Sequence, residues 1–268
     1  MTVPNGPPDG GSRDPSGAPS RDPWYALAAL TPARVALGRA GAGLPTARHL
    51  ELQLAHARAR DAVWHPMDAA AVASALRADG REVVHVHSAA RDRREYLERP
   101  DLGRRLDAAG AAALAPHAGD WDVAFVVGDG LAALAAERHA PALVRAVRAR
   151  LDADGSTWSI APVVVAEQAR VAFGDAVGAA LGARTVAVLL GERPGMSAPD
   201  SLGVYLTWDP RPGRTDAERN CVSNVRPEGL PYARAADTVA WLLREARRRR
   251  LTGVALRAEA PPQIAGGS

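Results

Sequence analysis

The sequence predicts an α/β fold, a Rossmann-like, mostly parallel sheet with helices on both faces. Valine-rich apolar runs alternate along the chain with helical patterns, and this alternation is typical of parallel strands that are covered on both sides. Apolar residues make up 47% of the 268 residues and aromatic residues only 4%, so the predicted core consists mainly of Ala, Val and Leu. A chain of this length can hold one large domain, or one domain with an appendage.

The first part of the chain is predicted to lie outside this sheet. Residues 1–22 are rich in Pro, Gly, Ser and Asp and nearly free of apolar side chains, so we expect a disordered tail. Residues 23–80 form a predicted helical N-terminal segment. Within it, residues 46–63 have helical periodicity, with Thr46 as the expected N-cap and an apolar stripe of Leu50, Leu54 and Ala57.

Residues 81–268 form the predicted α/β domain. Its strand candidates are EVVHVHS from Glu82, WDVAFVV from Trp121, WSIAPVVVA from Trp158, TVAVLLG from Thr185 and LGVYLTW from Leu202. Its helical patterns are DLGRRLDAAGAAALA, APALVRAVRARL, ARVAFGDAVGAALGA and a long C-terminal PYARAADTVAWLLREARRRR. Ligands of open parallel sheets bind beyond the carboxyl ends of the strands, so the loops that follow these strands are the candidate functional segments.

Charge and composition exclude several classes of function. All 33 basic residues are arginine, and without lysine neither a Schiff base with pyridoxal phosphate nor a P-loop is available. The net charge of +3 gives no general case for nucleic-acid binding, and no apolar run reaches the length of a membrane span. One cysteine cannot form an internal disulfide, and the N-terminus has no basic-then-apolar signal pattern, so we expect a cytoplasmic protein.

A glycine-containing loop after the second strand offers one enzymatic alternative. Gly128, Gly130 and Ala133 fit the G-x-G-x-x-A spacing of a dinucleotide site, which would make the chain an NAD-dependent oxidoreductase. Such a site expects an acidic residue about 20 positions later at the end of the next strand, but that strand ends near Glu167, much farther along the chain. The spacing therefore favours a tight turn, with Asp129 as a helix cap.

No metal site or catalytic nucleophile is predicted. His85 and His87 share one side of a strand, but two ligands are too few for a closed zinc site, and no Cys-x-x-Cys pattern accompanies them. Cys221 could act as a nucleophile, but no histidine lies near it in sequence, and a lone cysteine in a reducing compartment is more often inert. We therefore expect no catalytic residue and no metal ligand in this chain.

Several blocks of the sequence, taken in order, resemble the small subunit of ethanolamine ammonia-lyase. They are TPARVALGRAGAGLPT from Thr31, YLERPDLGRRL from Tyr96, GDGLAA from Gly128, GERPG from Gly191, PDSLGVYLT from Pro199 and DAERNCVSNVRPEGL from Asp216. The resemblance covers Thr31 to about Arg250. It implies a bacterial adenosylcobalamin enzyme, a lyase that converts ethanolamine to acetaldehyde and ammonia by radical chemistry.

The resemblance also implies partners and a location. In the family this subunit pairs with a larger barrel subunit in an assembly of six heterodimers, the large subunit holds ethanolamine, and cobalamin lies between the subunits. Residues 81–268 would then be a cobalamin-binding domain. Relatives can occur in ethanolamine-utilisation bacterial microcompartments. The Pro- and Gly-rich tail cannot form the amphipathic helix that commonly directs packaging, so we expect a cytoplasmic enzyme whose tail is dispensable.

Three positions are implied as cobalamin contacts by the same resemblance. They are Val171 in ARVAFGD, Glu192 in GERPG and Cys221 before Val-Ser-Asn. Glu192 would accept hydrogen bonds from the amide groups that rim the corrin ring, Cys221 would be a small apolar contact, and the two glycines of GERPG would let the ring approach the backbone. A helix cap or a local ion pair is the structural alternative for Glu192 and Arg193. The alternative function, besides the oxidoreductase, is a non-catalytic scaffold without cobalamin.

Overall fold

The structure is a computed structural model that describes residues 24–257 except residues 29, 32 and 154. The predicted disordered tail, residues 1–22, lies outside the described residues. The chain divides into two compact units, one that ends at Ala57 and one that starts at Arg58. The larger unit contains the whole described sheet.

The order of elements confirms the predicted alternation of strands and helices. The strands are β1 (Val83–His87), β2 (Trp121–Gly128), β3 (Val163–Glu167), β4 (Ala183–Gly191), β5 (Leu202–Trp208) and β6 (Arg219–Val225). The α-helices of the described residues are α1 (Tyr25–Ala28), α2 (Thr46–Trp64), α3 (Ala69–Ala78), α4 (Arg93–Glu98), α5 (Ala108–Leu114), α6 (Ala133–Asp152), α7 (Phe173–Leu181), α8 (Tyr232–Arg249) and α9 (Val254–Arg257). Helix α6 joins β2 to β3, and α7 joins β3 to β4, as crossovers between parallel strands require.

The sheet is mostly parallel, as the sequence predicts. Its strand order is β1-β3-β2-β4-β5-β6. The first four of these strands run parallel to one another, whereas β5 is antiparallel to both of its neighbours, β4 and β6. The loop of residues 192–201 between β4 and β5 is too short for a helical crossover, so β5 returns beside β4.

Two buried clusters cover the two faces of the sheet. Along β2, Val123, Phe125 and Val127 belong to the cluster that includes α6 and α8, whereas Ala124 and Val126 belong to the cluster that includes α7. This alternation follows from the two-residue period of a strand. It confirms that helices lie on both faces, and it accounts for near-continuous apolar runs in strands that are buried on both sides.

Strand β6 was not among the predicted strands, and its surroundings give the reason. Val222 packs in the cluster with α8, but Cys221 and Ser223 are exposed on the opposite face of β6. The sequence RNCVSNV therefore lacks the apolar run that marks the central strands. This open face of β6 matters for the candidate site.

Two other predicted elements are shorter in the structure. Strand β3 begins at Val163, because Pro162 has no N–H for the ladder, and the preceding Ile160 forms only an isolated bridge. The pattern DLGRRLDAAGAAALA is split into a 3₁₀ turn and α5, because the Asp107 carboxylate accepts a hydrogen bond from the Gly110 amide at 2.6 Å and starts a new helix.

Helix α2 also differs from its prediction. It begins at Thr46, so Thr46 is its first residue and the prediction of an N-cap there is wrong. Leu50 and Leu54 are 57% and 51% exposed. The predicted apolar stripe is therefore not buried in the described chain.

Candidate functional site

The candidate site lies where β4 ends and β5 and β6 run beside it. Val171 lies in the loop between β3 and α7, Glu192 directly follows β4, and Cys221 lies on β6. Because β3 and β4 are both parallel to β2, the loops that carry Val171 and Glu192 leave the same edge of the sheet. This is the edge at which open α/β sheets bind ligands.

The glycine loop after β2 packs against the end of β4. Gly130 has a φ of +55°, and a Cβ there would lie 2.3 Å from the Gly191 carbonyl oxygen. A Cβ at Gly191 would lie 2.0 Å from the Ala132 carbonyl oxygen. Gly130 and Gly191 therefore let the backbone of the loop after β2 contact the end of β4. Gly130, the second glycine of the dinucleotide pattern, faces protein. The expectation that Gly191 leaves space for a ligand is wrong, because Ala132 occupies that space.

Asp129 is not the predicted helix cap. The N-cap of α6 is Ala132, which has no capping side chain. The buried Asp129 carboxylate accepts hydrogen bonds from the backbone amides of Gln168 and Ala169, both at 2.9 Å, and lies 3.4 Å from Nη1 of Arg93. Burial raises the pKa of Asp129 to about 6, and the charge of Arg93 and these amides oppose that shift. Asp129 thus ties the loop after β2 to the loop after β3.

The loop that carries Val171 is held by aromatic and cationic side chains. The Tyr96 hydroxyl donates a hydrogen bond to the Ala169 carbonyl oxygen at 3.3 Å. The guanidinium groups of Arg93 and Arg170 lie 4.7 and 4.4 Å from the centre of the Tyr96 ring, within the range of cation–π attraction. Val171 itself is half-buried against the α7 cluster. It can offer an apolar contact from a well-supported loop.

Glu192 is half-buried, and its carboxylate joins the ends of two strands. Oε2 accepts a short hydrogen bond from the Ser201 hydroxyl and a second one, at 3.1 Å, from the Asn224 backbone amide. The Glu192 amide in turn donates to the Ser201 carbonyl oxygen at 2.9 Å. Among the described residues Glu192 forms neither the helix cap nor the ion pair of the structural alternative, but these hydrogen bonds give its carboxylate a structural role.

Cys221 is exposed and lies directly across from Tyr205 of β5. Its Sγ is 3.1 Å from the Ser223 hydroxyl. Burial raises the pKa of the half-buried Tyr205 hydroxyl, and the neighbouring Cys221 and Glu192 side chains raise it further. Sequence reasoning missed Tyr205. The available signal was an aromatic residue with a polar tip, placed between the buried Val204 and Leu206 of one strand.

Tyr205 connects the three predicted positions. It pairs with Cys221, and a Cβ at Gly203 would lie 3.0 Å from both a Tyr205 ring carbon and Cγ of Glu192. Tyr205 and Val171 also pack against the same buried cluster. The structure therefore places Glu192, Tyr205 and Cys221 side by side, with Val171 on the same side of the sheet.

A buried ion pair supports this side of β6. Arg219 donates to both carboxylate oxygens of Asp175 on α7, at 2.6 and 2.7 Å, and to the Thr207 hydroxyl at 2.8 Å. Both charged side chains are at most 3% exposed. A bidentate pair of this kind fixes direction as well as distance, so it holds β6 against α7 next to Cys221.

The described residues contain no group of three or more His, Cys, Asp or Glu side chains placed to hold a metal ion. Within the same residues, no helix combines the length and the apolar character needed to cross a bilayer. The site offers a carboxylate that accepts hydrogen bonds, a phenol that donates and accepts them, a thiol and a valine side chain.

Comparison with known proteins identifies the family. Residues 21–257 match the family model described as Ethanolamine ammonia-lyase light chain (EutC). Curated relatives named "Ethanolamine ammonia-lyase small subunit" include those of Ralstonia nicotianae and Xanthomonas campestris pv. campestris. Both are 56% identical; the first alignment covers 92% of this chain and 93% of the relative, the second 92% of each. The protein of that name from Pseudomonas aeruginosa is 52% identical over 93% of this chain and 92% of its own length. The chain therefore belongs to the ethanolamine ammonia-lyase light chain family.

Proposed function

We propose that this chain is the small subunit of an adenosylcobalamin-dependent ethanolamine ammonia-lyase, which converts ethanolamine to acetaldehyde and ammonia. It holds cobalamin at its interface with a large barrel subunit, in an assembly of six heterodimers. The observation that carries the proposal is the family match over residues 21–257, combined with the cluster of Glu192, Tyr205 and Cys221 on an open face. Residues 81–268 form the cobalamin-binding domain, after a helical segment of residues 23–80.

The side chains of the cluster fit the rim of a cobalamin. That rim carries amide groups, which need hydrogen-bond acceptors, and apolar edges, which need apolar contacts. Among the described residues, Oε1 of Glu192 has no hydrogen-bond donor, whereas Oε2 has two. Glu192 would accept an amide hydrogen through Oε1, and Val171 and Cys221 would make apolar contacts.

This chain would bind and shield the cofactor and would carry out no step of the substrate chemistry. When bound, adenosylcobalamin supplies the radical chemistry of the reaction. The described residues offer no metal centre, and the sequence has no lysine. We therefore assign no catalytic residue to this chain, and we place ethanolamine on the partner.

Co-expression with a large subunit tests the proposal. We expect the two chains to co-purify and to release acetaldehyde from ethanolamine with adenosylcobalamin, and we expect this chain alone to release none. Activity of the isolated chain would contradict the division of labour. If no partner co-purifies and no cobalamin is retained, the scaffold or the oxidoreductase gains support, and an NADH-binding titration distinguishes between these two.

We further propose a cytoplasmic enzyme whose N-terminal tail is dispensable for activity. The composition of residues 1–22 supports this location over packaging in a bacterial microcompartment, because Pro and Gly occur throughout the segment. Deletion of residues 2–20 is expected to leave the ammonia-lyase activity of the two-subunit complex unchanged. Loss of that activity in the shortened complex would contradict the proposal.

A further inference from the structure

The two oxygens of the Glu192 carboxylate have different surroundings. Oε2 accepts hydrogen bonds from the Ser201 hydroxyl and the Asn224 amide. Oε1 accepts none from the described residues. Two hydrogen bonds to Oε2 restrict the rotation of the carboxylate, and so they restrict the positions that Oε1 can occupy.

Ser201 makes the side-chain bond in this arrangement. It is 6% exposed and directly precedes β5. Its carbonyl oxygen accepts a hydrogen bond from the Glu192 amide at 2.9 Å, while its hydroxyl donates to the Glu192 carboxylate. Ser201 therefore binds Glu192 at both its backbone and its side chain. The other donor to Oε2 is a backbone amide, which no substitution short of proline removes.

The backbone at Gly203 limits the positions that the Glu192 carboxylate can take. A Cβ at this position would lie 3.0 Å from both Cγ and Oε1 of Glu192. The Glu192 side chain thus lies flat against the backbone of β5, on the side of the strand that carries Tyr205. The β5 backbone at Gly203 and the donors to Oε2 therefore restrict the positions that the carboxylate can occupy.

We propose that Ser201 is a positioning residue for cobalamin binding, because its hydroxyl holds Oε2 of Glu192 and so directs Oε1 toward an amide of the cofactor. This inference rests on the proposed function. Ser201 itself does not contact the cofactor. Its contribution is to reduce the freedom that the Glu192 side chain loses on binding.

Equilibrium dialysis of hydroxocobalamin against the assembled two-subunit complex tests the proposal. Ser201→Ala should weaken cobalamin binding by about one power of ten, because the Glu192 carboxylate loses a charge-assisted hydrogen bond. Turnover at saturating adenosylcobalamin should fall much less than the cobalamin affinity does. Ser201→Thr, which keeps the hydroxyl, should bind more tightly than Ser201→Ala.

A matched control is available at the other end of the strands, where β2 begins. The Ser159 hydroxyl accepts a hydrogen bond from the Asp122 amide and donates one to the Asp120 carbonyl oxygen, near the start of β2. Ser159→Ala should leave cobalamin affinity unchanged, although it also removes two hydrogen bonds of a serine hydroxyl. Equal loss of affinity in the Ser159 and Ser201 variants would overturn the positioning role, because it would show a general effect on folding.

A double-mutant cycle separates positioning from a direct contact. If Ser201 acts through Glu192, then Ser201→Ala should cause no further loss of affinity in a Glu192→Ala complex. Fully additive losses would overturn the inference and leave the proposed function intact, as would normal affinity in the Ser201→Ala complex. A wild-type complex that assembles but retains no hydroxocobalamin would instead overturn the proposed function, and the inference with it.

Discussion

Glu192 has both a structural role in the fold and a proposed role in cofactor binding. Its Oε2 accepts hydrogen bonds from Ser201, next to β5, and from Asn224 on β6, and its backbone amide donates a further one to the Ser201 carbonyl oxygen. One oxygen of the carboxylate thus forms hydrogen bonds within the protein, whereas the other accepts none from the described residues. Substitution of Glu192 should therefore have two separable effects, one on cofactor binding through Oε1 and one on the stability of the fold through Oε2.

Glu192→Ala is expected to weaken cobalamin binding by about one to two powers of ten, because an amide of the cofactor loses its acceptor. Turnover at saturating cofactor should change much less, since we propose that the substrate chemistry lies on the partner. Glu192→Gln should be milder, because its carbonyl oxygen can still accept a hydrogen bond. The measurements are apparent cofactor affinity and maximal rate in complexes shown to assemble. A collapse of the rate with normal affinity would instead place Glu192 in the chemistry.

The raised pKa of Asp129 predicts that the free energy of unfolding depends on pH. Its folded-state pKa is raised to about 6, whereas an unfolded aspartate titrates near 3.9. Between these values the folded chain binds a proton that the unfolded chain does not, so this group's contribution to the free energy of unfolding rises as the pH falls from 7 to 5, by about 1 kcal/mol.

Urea unfolding of the isolated chain at pH 7 and pH 5 measures this contribution, with Asp129→Asn as the reference. The difference in unfolding free energy between wild type and Asp129→Asn should grow toward pH 5. The variant should also be less stable at both pH values, because an asparagine amide cannot accept both the Gln168 and Ala169 bonds. If the difference in unfolding free energy between wild type and Asp129→Asn shrinks as the pH falls, the raised pKa is contradicted.

At the scale of elements, the end of β4 is fixed by glycine. Gly191→Ala is expected to destabilise the chain by at least about 3 kcal/mol or to prevent folding, because its Cβ would overlap the backbone of Ala132. Gly195→Ala is the control, since its Cβ would lie 3.7 Å from the nearest atom outside its own neighbours, and it should change stability by at most about 0.5 kcal/mol. Thermal unfolding compares the two variants. Equal stability would show that the loop after β2 can move away from β4.

The central strands and long helices could be predicted from the sequence because their buried residues form continuous or periodic apolar patterns. Val123 to Val127 are all fully buried, and their apolar run marks β2 directly. Strand β6 gave no such signal, because Cys221 and Ser223 face an open surface. Thr46 and Asp129 have the right residue types for helix caps, but residue type alone does not say which amide a side chain will meet.

The candidate site was predictable only in part. The resemblance pointed to Val171, Glu192 and Cys221, and the topology brings Glu192 and Cys221 together around Tyr205. Ser201 and Tyr205 could not be singled out from the sequence, because their roles depend on the antiparallel return of β5 beside β4. The role of Gly191 depends likewise on a contact with a loop about 60 positions earlier in the chain, which periodicity does not reveal.

At the scale of the whole molecule, the proposal makes this chain the cofactor-binding part of a two-subunit enzyme. It belongs to the ethanolamine ammonia-lyase light chain family, and its described residues contain acceptors and apolar contacts on an open face but no metal cluster. A surface of this kind needs a second surface to enclose a ligand as large as cobalamin. The proposal therefore requires both subunits for tight cofactor binding.

Retention of hydroxocobalamin tests this requirement most directly. The two-subunit complex, this chain alone and the large subunit alone are each incubated with hydroxocobalamin, freed of unbound cofactor by gel filtration, and measured by visible absorbance. We predict that the complex retains cobalamin in proportion to the number of subunit pairs and that this chain alone retains none. A correctly assembled complex without bound cobalamin would contradict the account, and so would an isolated chain that binds cobalamin as tightly as the complex does.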